Sequence, residues 1–162
     1  MPRIEISLAE QMLTLLDEAG RLVNSYPVST SKNGPGEMKD SYCTPRGRHI
    51  IRAKIGAGAA ENTIFVGRRA SGEIYTAALG ERYPGRDWIL TRIFWLSGCE
   101  HGFNRLSKVD TMQRYIYIHG SPDSVRMGAP GSIGCIRMHN RDLLELFDLV
   151  EPGTTVEIES TT

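Results

Sequence analysis

Two short stretches, RYIYIHG at residues 114–120 and GAPGSIGCIRM at residues 128–138, decide how this chain is interpreted. In the first, isoleucine alternates with aromatic residues and histidine, which is the period-two pattern of a β-strand. The two isoleucines then face one side of the strand, and Tyr115, Tyr117 and His119 face the other. A glycine follows the histidine and allows the backbone to bend sharply there. The stretch therefore predicts a strand over Arg114–His119 that ends in an imidazole on its aromatic face.

The second stretch places a cysteine in a loop punctuated by glycines. Glycines let backbone approach a ligand closely, and successive N–H groups near Gly134 and Cys135 are able to form an anion-binding concavity. A free thiol has a pKa of about 8.5, so it needs a base or a positive neighbour to act as a nucleophile near neutral pH. His119 supplies the base, and Arg137 adds positive charge two residues beyond the thiol. The two stretches together predict a cysteine nucleophile paired with a histidine.

The chain before these stretches is typical of a β meander followed by a long loop. Arg3–Leu8, Gln11–Asp17 and Arg21–Val28 are short runs rich in Ile, Leu and Val. From Ser29 to Gly47 the composition changes to Ser, Lys, Asn, Gly and Pro. Long loops inside compact domains are usually functional, so we expect this loop to contribute to the site.

Further strands are predicted at His49–Ile55, Glu73–Leu79 and Trp88–Leu96, where apolar and β-branched residues cluster. The polar, glycine-bearing segment Ser97–Asp110 is interpreted as a candidate lid.

One helix is predicted near the end of the chain. Asn140 is the expected cap, and apolar residues recur at helical spacing as far as Val150. Pro152-Gly153 ends the helix, and Thr154–Glu159 supplies a last strand. The pattern favours a single mostly-β domain over residues 1–162, with one helix after the cysteine loop.

Composition restricts the partners and the compartment. The 162 residues carry 19 basic and 19 acidic side chains, so no net field directs the protein onto nucleic acid or an anionic membrane. Three cysteines cannot all pair within one chain, and their spacing matches no zinc pattern, so no metal site is predicted. Free thiols and the absence of a recognisable secretory signal lead us to expect a cytoplasmic protein. If the chain is a trimmed part of a longer protein, the periplasm is the alternative.

The pair His119-Gly120 followed by Ser-x-Gly-Cys-x-Arg at residues 132–137 resembles the signature of the L,D-transpeptidase (YkuD-type) family. The similarity extends to the opening strands at residues 4–32, the Thr-Pro-Arg-Gly loop at residues 44–47 and the closing helix and strand at residues 140–156. The resemblance implies the β-sandwich of that family. Ile133 stands where many members carry a second histidine, so catalysis is expected to rest on His119 alone.

Residue roles follow from the resemblance. It implies that Cys135 is the nucleophile and that His119 is the general base and acid, with the Gly120 backbone orienting the imidazole. The amides of Gly134 and Cys135 are then the expected oxyanion hole.

The same resemblance implies Arg137, Ser132 and Tyr117 as substrate-binding residues. Arg137 is expected to bind a substrate carboxylate through its planar fork of donors. The alternative for Arg137 is a salt bridge that holds the loop.

The implied reaction is acyl transfer on a peptidoglycan tetrapeptide stem. The thiol attacks the L,D amide, terminal D-alanine leaves, and a thioester remains to be resolved. With water as acceptor the enzyme is an L,D-carboxypeptidase that trims recycled muropeptides, which is the activity we expect. With an amine of another stem it is an L,D-transpeptidase that forms cross-links, which is the alternative. The mechanism implies no cofactor, and it implies acylation of Cys135 by carbapenem-type β-lactams.

Two interpretations from other classes remain open at this point. A non-catalytic binder of peptidoglycan fragments would keep the groove, although retention of Cys135 and His119 argues against it. A thiol redox protein would need a resolving cysteine close to Cys135, and Cys43 and Cys99 are the candidates.

Overall fold

The computed structural model describes residues 1–161, which form ten β-strands and two α-helices. A single 3-10 turn lies at Ser107–Val109. The elements, in chain order, are β1 (Arg3–Ser7), β2 (Met12–Leu16), β3 (Leu22–Ser29), β4 (Gly47–Ile55), β5 (Thr63–Val66), β6 (Arg69–Ile74), α1 (Ala77–Arg82), β7 (Leu90–Gly98), β8 (Tyr117–Gly120), β9 (Ile136–Met138), α2 (Asn140–Leu149) and β10 (Thr155–Glu159).

The strands form one hydrogen-bonded ladder that closes on itself. Its order is β4-β10-β1-β2-β3-β9-β8-β7, and β4 also pairs with β7, so eight strands complete a ring. The antiparallel hairpin of β5 and β6 extends from β7 outside the ring. Closure leaves the eight strands without free edges, which are the usual sites of unwanted strand pairing.

The main core lies inside this ring and is closed by α2. In β1 and β2 the residues alternate between core and surface, so Ile4, Ile6, Leu13 and Leu15 are fully buried. Leu143, Leu146 and Phe147 of α2 join the same core. Each fully buried side chain of this size stabilises the fold by about 1.5–3 kcal/mol.

The parallel pair β8 and β9 positions the two residues singled out by the sequence. His119 lies opposite Arg137, and Ile118 lies opposite Ile136. Cys135 directly precedes β9 and so reaches the same end of the pair as Tyr117. Side chains two residues apart on a strand share a face, so the cysteine loop and the histidine strand meet on one side of the sheet.

The mostly-β fold with its main helix after the cysteine loop is confirmed. The predicted strand at Glu73–Leu79 is wrong. Its first residues end β6, and α1 begins at Ala77, where the Thr76 hydroxyl caps the helix by accepting from the Leu79 amide at 3.2 Å. The strands β5 and β6 were not predicted as separate elements.

Two predicted boundaries also differ from the structure. The strand predicted over Arg114–His119 begins only at Tyr117, because residues 111–115 form turns and Tyr115 adopts a left-handed φ of 57°. Asn140 does not cap α2. His139 occupies the cap position, and the Asn140 side chain is buried and turned towards β7 and β8.

The segment Ser97–Asp110 does not act as a lid over Cys135. Its first two residues complete β7, and Asn104 then fixes the loop to the start of β4 by donating to the carbonyls of Arg46 and Arg48 at 3.0 and 3.1 Å. None of its residues lines the Cys135 cavity described below. Within residues 1–161, no helix has the length and apolar character needed to cross a bilayer.

Candidate active site

The cysteine loop is held in place by a buried serine. The Ser132 hydroxyl donates to the carbonyl of Cys135 at 2.6 Å and accepts from the amide of Gly134 at 3.2 Å. On the other side of the loop, the Thr44 hydroxyl donates to the Gly134 carbonyl at 2.9 Å. The predicted contact with substrate stays a prediction, and Ser132 is only 3% exposed. It shapes the loop that carries Cys135.

The Cys135 thiol lies against the backbone that leads into β8. The amide of Tyr117 donates to Sγ at 3.4 Å, and Sγ lies 3.5 Å from the carbonyl of Tyr115, to which the thiol donates. Burial raises the pKa of the thiol to about 12, and the Tyr117 amide, Arg114 and Arg137 oppose that rise only in part. Cys135 therefore rests as a thiol, and it would need a base at the moment of attack to act as a nucleophile.

His119 is buried and presents a free ring nitrogen. Its Nδ1 lies 2.6 Å from the carbonyl of Gly120, which can only accept, so Nδ1 carries the proton. Its Nε2 is buried and has no hydrogen-bond partner within residues 1–161. Burial lowers the pKa of the imidazole, and the carboxylate of Asp87 opposes this. A neutral imidazole with a free lone pair at Nε2 is the form that a general base requires.

The predicted role of the Gly120 backbone is consistent with this geometry, because the Gly120 carbonyl fixes the tautomer of His119. The thiol and the imidazole do not contact each other directly in the described chain, since Sγ bonds to Tyr115 rather than to Nε2. A rotation of the thiol away from the Tyr115 carbonyl is needed to join them. Catalytic hydrogen bonds are often formed only when substrate is present.

A buried polar network supports the turn that follows His119. Asn140 accepts from the Thr91 hydroxyl at 2.7 Å and donates to the Ser121 carbonyl at 3.1 Å and to Asn62 Oδ1 at 2.9 Å. Thr91 adopts a left-handed φ of 76° at the point where the β7–β8 register shifts, which is costly for a β-branched residue. Gly120 fits only because it has no side chain. A Cβ there would overlap Asn140 Oδ1 and lie 2.6 Å from the Leu90 carbonyl.

The predicted oxyanion hole is only half available. The Gly134 amide is engaged by Ser132 Oγ within the loop, so it is not a free donor. The Cys135 amide has no acceptor in the described part of the chain. The geometry therefore favours Cys135, and not Gly134, as the amide that receives an anionic oxygen beside the sulfur.

Arg137 lies beside His119 and is half-buried. It donates to Ser29 Oγ at 3.3 Å, while its Nε is buried without a partner among residues 1–161. No ion pair forms between Arg137 and any carboxylate of these residues, so the alternative of a loop-holding salt bridge is not found. Its guanidinium opens onto a second cavity rather than onto the one that contains Cys135.

Cys135 opens into a cavity of about 600 Å³. Tyr117 lines this cavity, but its side chain is buried and its hydroxyl accepts from Arg68 at 3.1 Å. Three residues of the Ser29–Gly47 loop also line it, as the prediction of a functional loop expects: Lys39, Asp40 and Tyr42. The second cavity, of about 550 Å³, is lined by Arg137 and adjoins the first at Asp87, which contributes to both.

Three charged residues of the site were not identified from the sequence. Asp87 faces both cavities, and Arg68 lines the first. Arg114 clamps the long loop by donating to the carbonyls of Gly36, Glu37 and Cys43, the last at 2.7 Å. Arg68 and Arg114 belong to turns and Asp87 to the irregular segment before β7, where no spacing rule marks a functional side chain. Only the placement of Arg114 directly before the alternating strand offered a signal.

Within residues 1–161, the cysteines form neither a disulfide nor part of a metal site. The three cysteines are all unbridged in the described chain. Among residues 1–161, no group of three or more His, Cys, Asp and Glu side chains is arranged to hold a metal ion.

Comparison with known proteins identifies relatives over almost the whole chain. The family model of the YkuD L,D-transpeptidase catalytic domain matches residues 1–158. The YkuD protein of Bacillus licheniformis is 32% identical over 156 residues, which are 96% of this chain and 64% of that protein. The YkuD protein of Bacillus subtilis is 49% identical over 137 residues, which are 76% of this chain and 71% of that protein.

A solved L,D-transpeptidase structure from Xylanimonas cellulosilytica shares the fold. It matches with a TM-score of 0.56 and 20% identity, over 98% of this chain and 60% of that one. The chain thus spans less than two thirds of the length of the Bacillus licheniformis relative and of this structure. The family model, the two Bacillus relatives and the cysteine motif lead to one conclusion: the chain belongs to the YkuD family of L,D-transpeptidase catalytic domains.

Proposed function

We propose that this chain cleaves the L,D amide of peptidoglycan tetrapeptide stems through a Cys135 thioester and releases terminal D-alanine. The observation that carries the proposal is the imidazole of His119. Its Nδ1 is bonded to the Gly120 carbonyl, and its Nε2 is left unpartnered in the described chain, on the strand beside the cysteine. A buried imidazole in this tautomer is able to accept one proton at Nε2 and later to donate it.

The first half of the reaction transfers the thiol proton to His119. Because the pKa of the Cys135 thiol is raised to about 12, the proton leaves as the sulfur attacks the scissile carbonyl and not before. The thiol turns from the Tyr115 carbonyl to Nε2, and the developing oxyanion accepts from the Cys135 amide. The protonated imidazole then gives its proton to the leaving amine, the C–N bond of the tetrahedral intermediate breaks, and D-alanine departs to leave the thioester on Cys135.

The second half of the reaction hydrolyses the thioester. His119 is neutral again once D-alanine has left, so it is able to take a proton from water at the same position. Attack of that water returns the thiol and yields the tripeptide acid. The proposed location is the cytoplasm, where soluble stem peptides return from wall turnover. The unbridged state of Cys43, Cys99 and Cys135 supports a reducing compartment.

Transpeptidation is the second candidate, and one observation favours it. The cavity that contains Cys135 adjoins a second cavity of about 550 Å³ at Asp87, which offers space and an anionic group to an acceptor amine. A bound and oriented amine gains a large effective concentration over competing solvent. Cross-link formation would place the proposed site of action outside the cytoplasm.

The test gives the enzyme a tetrapeptide in ¹⁸O-labelled water, with excess acceptor stem, and follows the products by mass spectrometry. Hydrolysis predicts free D-alanine and a tripeptide that carries one ¹⁸O in its new carboxylate. Mainly cross-linked dimer would reject the carboxypeptidase assignment in favour of transpeptidation. Cys99→Ala is the matched control for Cys135→Ala, because Cys99 lies outside the cavity. It is expected to retain activity.

A further inference from the structure

Arg68 occupies a backbone position that disfavours arginine. It follows Gly67 in the tight turn between β5 and β6, and the two residues have left-handed φ values of 64° and 55°. Glycine and asparagine are the residues usually found in such turns, because a Cβ is disfavoured there. An arginine at this position lowers the local stability of the turn. Its presence there indicates that the side chain has a function.

Three aromatic residues hold the guanidinium of Arg68 at the wall of the Cys135 cavity. The guanidinium lies 4.6 Å from the ring centre of Trp95 and 4.9 Å from that of Tyr115, and it donates to the Tyr117 hydroxyl at 3.1 Å. That is one hydrogen bond from a group with five donors. No carboxylate of residues 1–161 forms an ion pair with it.

Other cations near the site are committed elsewhere or are not fixed. Arg114 uses its donors on the long loop, and Arg137 opens onto the second cavity. Lys39 lines the cavity, but among the residues described its ammonium group has neither an ion pair nor an aromatic contact that would fix it. Arg68 is therefore the preorganised cation of this cavity with donors still unused.

The two tyrosines that hold Arg68 also contact the nucleophile. The Tyr115 carbonyl and the Tyr117 amide are the two hydrogen-bond partners of Cys135 Sγ. Arg68 and the sulfur therefore contact the same two residues, Arg68 through their side chains and Cys135 through their backbone.

We infer that Arg68 is a specificity-determining residue that binds a carboxylate of the stem peptide close to the scissile bond. This inference rests on the proposed function and extends it to substrate selection. A planar guanidinium binds a carboxylate with two parallel hydrogen bonds. Two carboxylates of a tetrapeptide have this chemistry. One is the terminal carboxylate of the leaving residue, about 3.5 Å or one residue from the scissile carbonyl. The other is the side-chain carboxylate of a diamino-dicarboxylic acid in the third position.

The experiment compares the parent protein with Arg68→Gly on three tetrapeptides. The first carries both carboxylates, the second a terminal carboxamide, and the third a lysine in the third position. Glycine suits the left-handed turn, so this variant removes the guanidinium without straining the hairpin. We expect kcat/KM on the first peptide to fall by about 10- to 100-fold, the effect of a charge-assisted hydrogen-bonded pair. On the peptide that lacks the recognised carboxylate, parent and variant are expected to be equally poor, and this identifies which carboxylate is bound.

Arg69→Gly is the matched control, because Arg69 is an exposed neighbour that does not line the cavity. Equal losses on all three peptides, or no loss on any, would overturn the inference. Binding of the same peptides to Cys135→Ser, with and without Arg68→Gly, is measured by calorimetry in parallel. If the parent protein turns over no tetrapeptide, the proposed function fails. A carboxylate-dependent affinity difference would then still support Arg68 as an anion-binding residue, and its absence would reject that as well.

Discussion

At the scale of single residues, Cys135 and His119 are both neutral at rest. Burial raises the pKa of the thiol to about 12 and lowers that of the imidazole. This differs from cysteine enzymes in which a preformed thiolate faces an imidazolium. The proposed proton transfer must therefore accompany the attack on the carbonyl, and the free enzyme should show little thiolate near neutral pH.

Thiol alkylation tests this protonation state. A small alkylating reagent reacts with the thiolate only, so its rate at Cys135 should be low at pH 7 and should keep rising above pH 9. An ordinary thiol levels off above its pKa of about 8.5. The rate at each cysteine is followed by peptide mass spectrometry from pH 6 to 10. A plateau below pH 8 at Cys135 would contradict the neutral resting thiol.

His119→Ala removes the proposed base. We expect a loss of about 10²–10⁴ in kcat, the usual contribution of general acid–base catalysis. In the parent protein, the lowered pKa of His119 keeps the base neutral to below pH 6.5, so activity should decline only as the pH falls further. The pH–rate profile is measured for both proteins. An acid limb that is unchanged in His119→Ala would show that another group supplies it.

The residue roles were predicted from the sequence to different degrees. Chemistry restricts which side chains act as nucleophile and base, so the sequence pointed to Cys135, His119 and the Gly120 backbone, and their catalytic roles stay predictions. The sequence also assigned Ser132 to substrate and Gly134 to the oxyanion hole. Neither role is confirmed, and spacing did not reveal that the serine hydroxyl and the glycine amide form a hydrogen bond with each other.

At the scale of elements, the turn between β8 and the cysteine loop depends on α2. The Asn140 side chain links the start of α2 to Thr91 in β7 and to Ser121, directly after Gly120. The helix thus supports the turn that contains the Gly120 carbonyl, which sets the tautomer of His119. The sequence suggested asparagine as a cap because that is its common function at a helix start. Its tertiary partners lie 49 and 19 residues away, and no local pattern reveals them.

Asn140→Ala tests this support. It leaves the Thr91 hydroxyl and the Ser121 carbonyl without their partner in a buried site, which should cost about 1–3 kcal/mol of stability. If Asn140 also positions the imidazole, kcat falls at a temperature where the protein is fully folded, while KM changes little. Asn24→Ala, at a half-buried asparagine that hydrogen-bonds to Glu145 away from the site, is the control. A stability loss with unchanged kcat would limit Asn140 to a structural role.

The hairpin of β5 and β6 and the helix α1 could not be predicted from sequence patterns. The apolar run Thr63–Val66 is only four residues long, and β6 is exposed throughout. Neither presents the alternation that marks a half-buried strand. The hairpin nevertheless carries Arg68 to the Cys135 cavity. Short, exposed elements are specified by their turns and by what they pack against, and these are not visible in composition.

At the scale of the whole molecule, a buried histidine couples stability to pH. His49 in β4 is fully buried between the Gly47 carbonyl and the Thr111 hydroxyl, both 3.0 Å from its ring nitrogens. Burial lowers its pKa to about 4, against about 6.5 in the unfolded chain. Between these values the unfolded chain binds the proton and the folded chain does not, so stability falls as the pH drops from 6.5 towards 4.

The expected loss from His49 over this range is about 3 kcal/mol, by linkage from the shift in pKa. His119 contributes in the same direction because its pKa is also lowered. Urea unfolding at pH 7, 6, 5 and 4.5 measures the effect, and His49→Asn should reduce the slope. Equal stability of the parent protein at pH 7 and 4.5 would contradict the assignment of a neutral buried His49.

The overall architecture was largely accessible from the sequence, because most strands of the ring show the expected apolar alternation. Closure of the ladder through β4 could not be predicted from the sequence. It depends on the pairing of β4 with both β10 and β7, which lie about 100 and 40 residues away in the chain. Such long-range pairings produce no pattern in the local sequence. The juxtaposition of Cys135 with Tyr115 and Tyr117 follows instead from the parallel pairing of β8 and β9, and it determines the environment of the thiol.

In the proposed mechanism, Cys135 forms a covalent acyl-enzyme with the stem peptide. The most direct measurement is the intact mass of the protein, quenched in acid during turnover of a tetrapeptide and followed by peptide mapping. The proposed mechanism predicts a mass gain equal to the tetrapeptide less D-alanine, located on Cys135, absent in Cys135→Ala and present in Cys99→Ala. An adduct on Cys43 or Cys99, or steady turnover by Cys135→Ala, would contradict it.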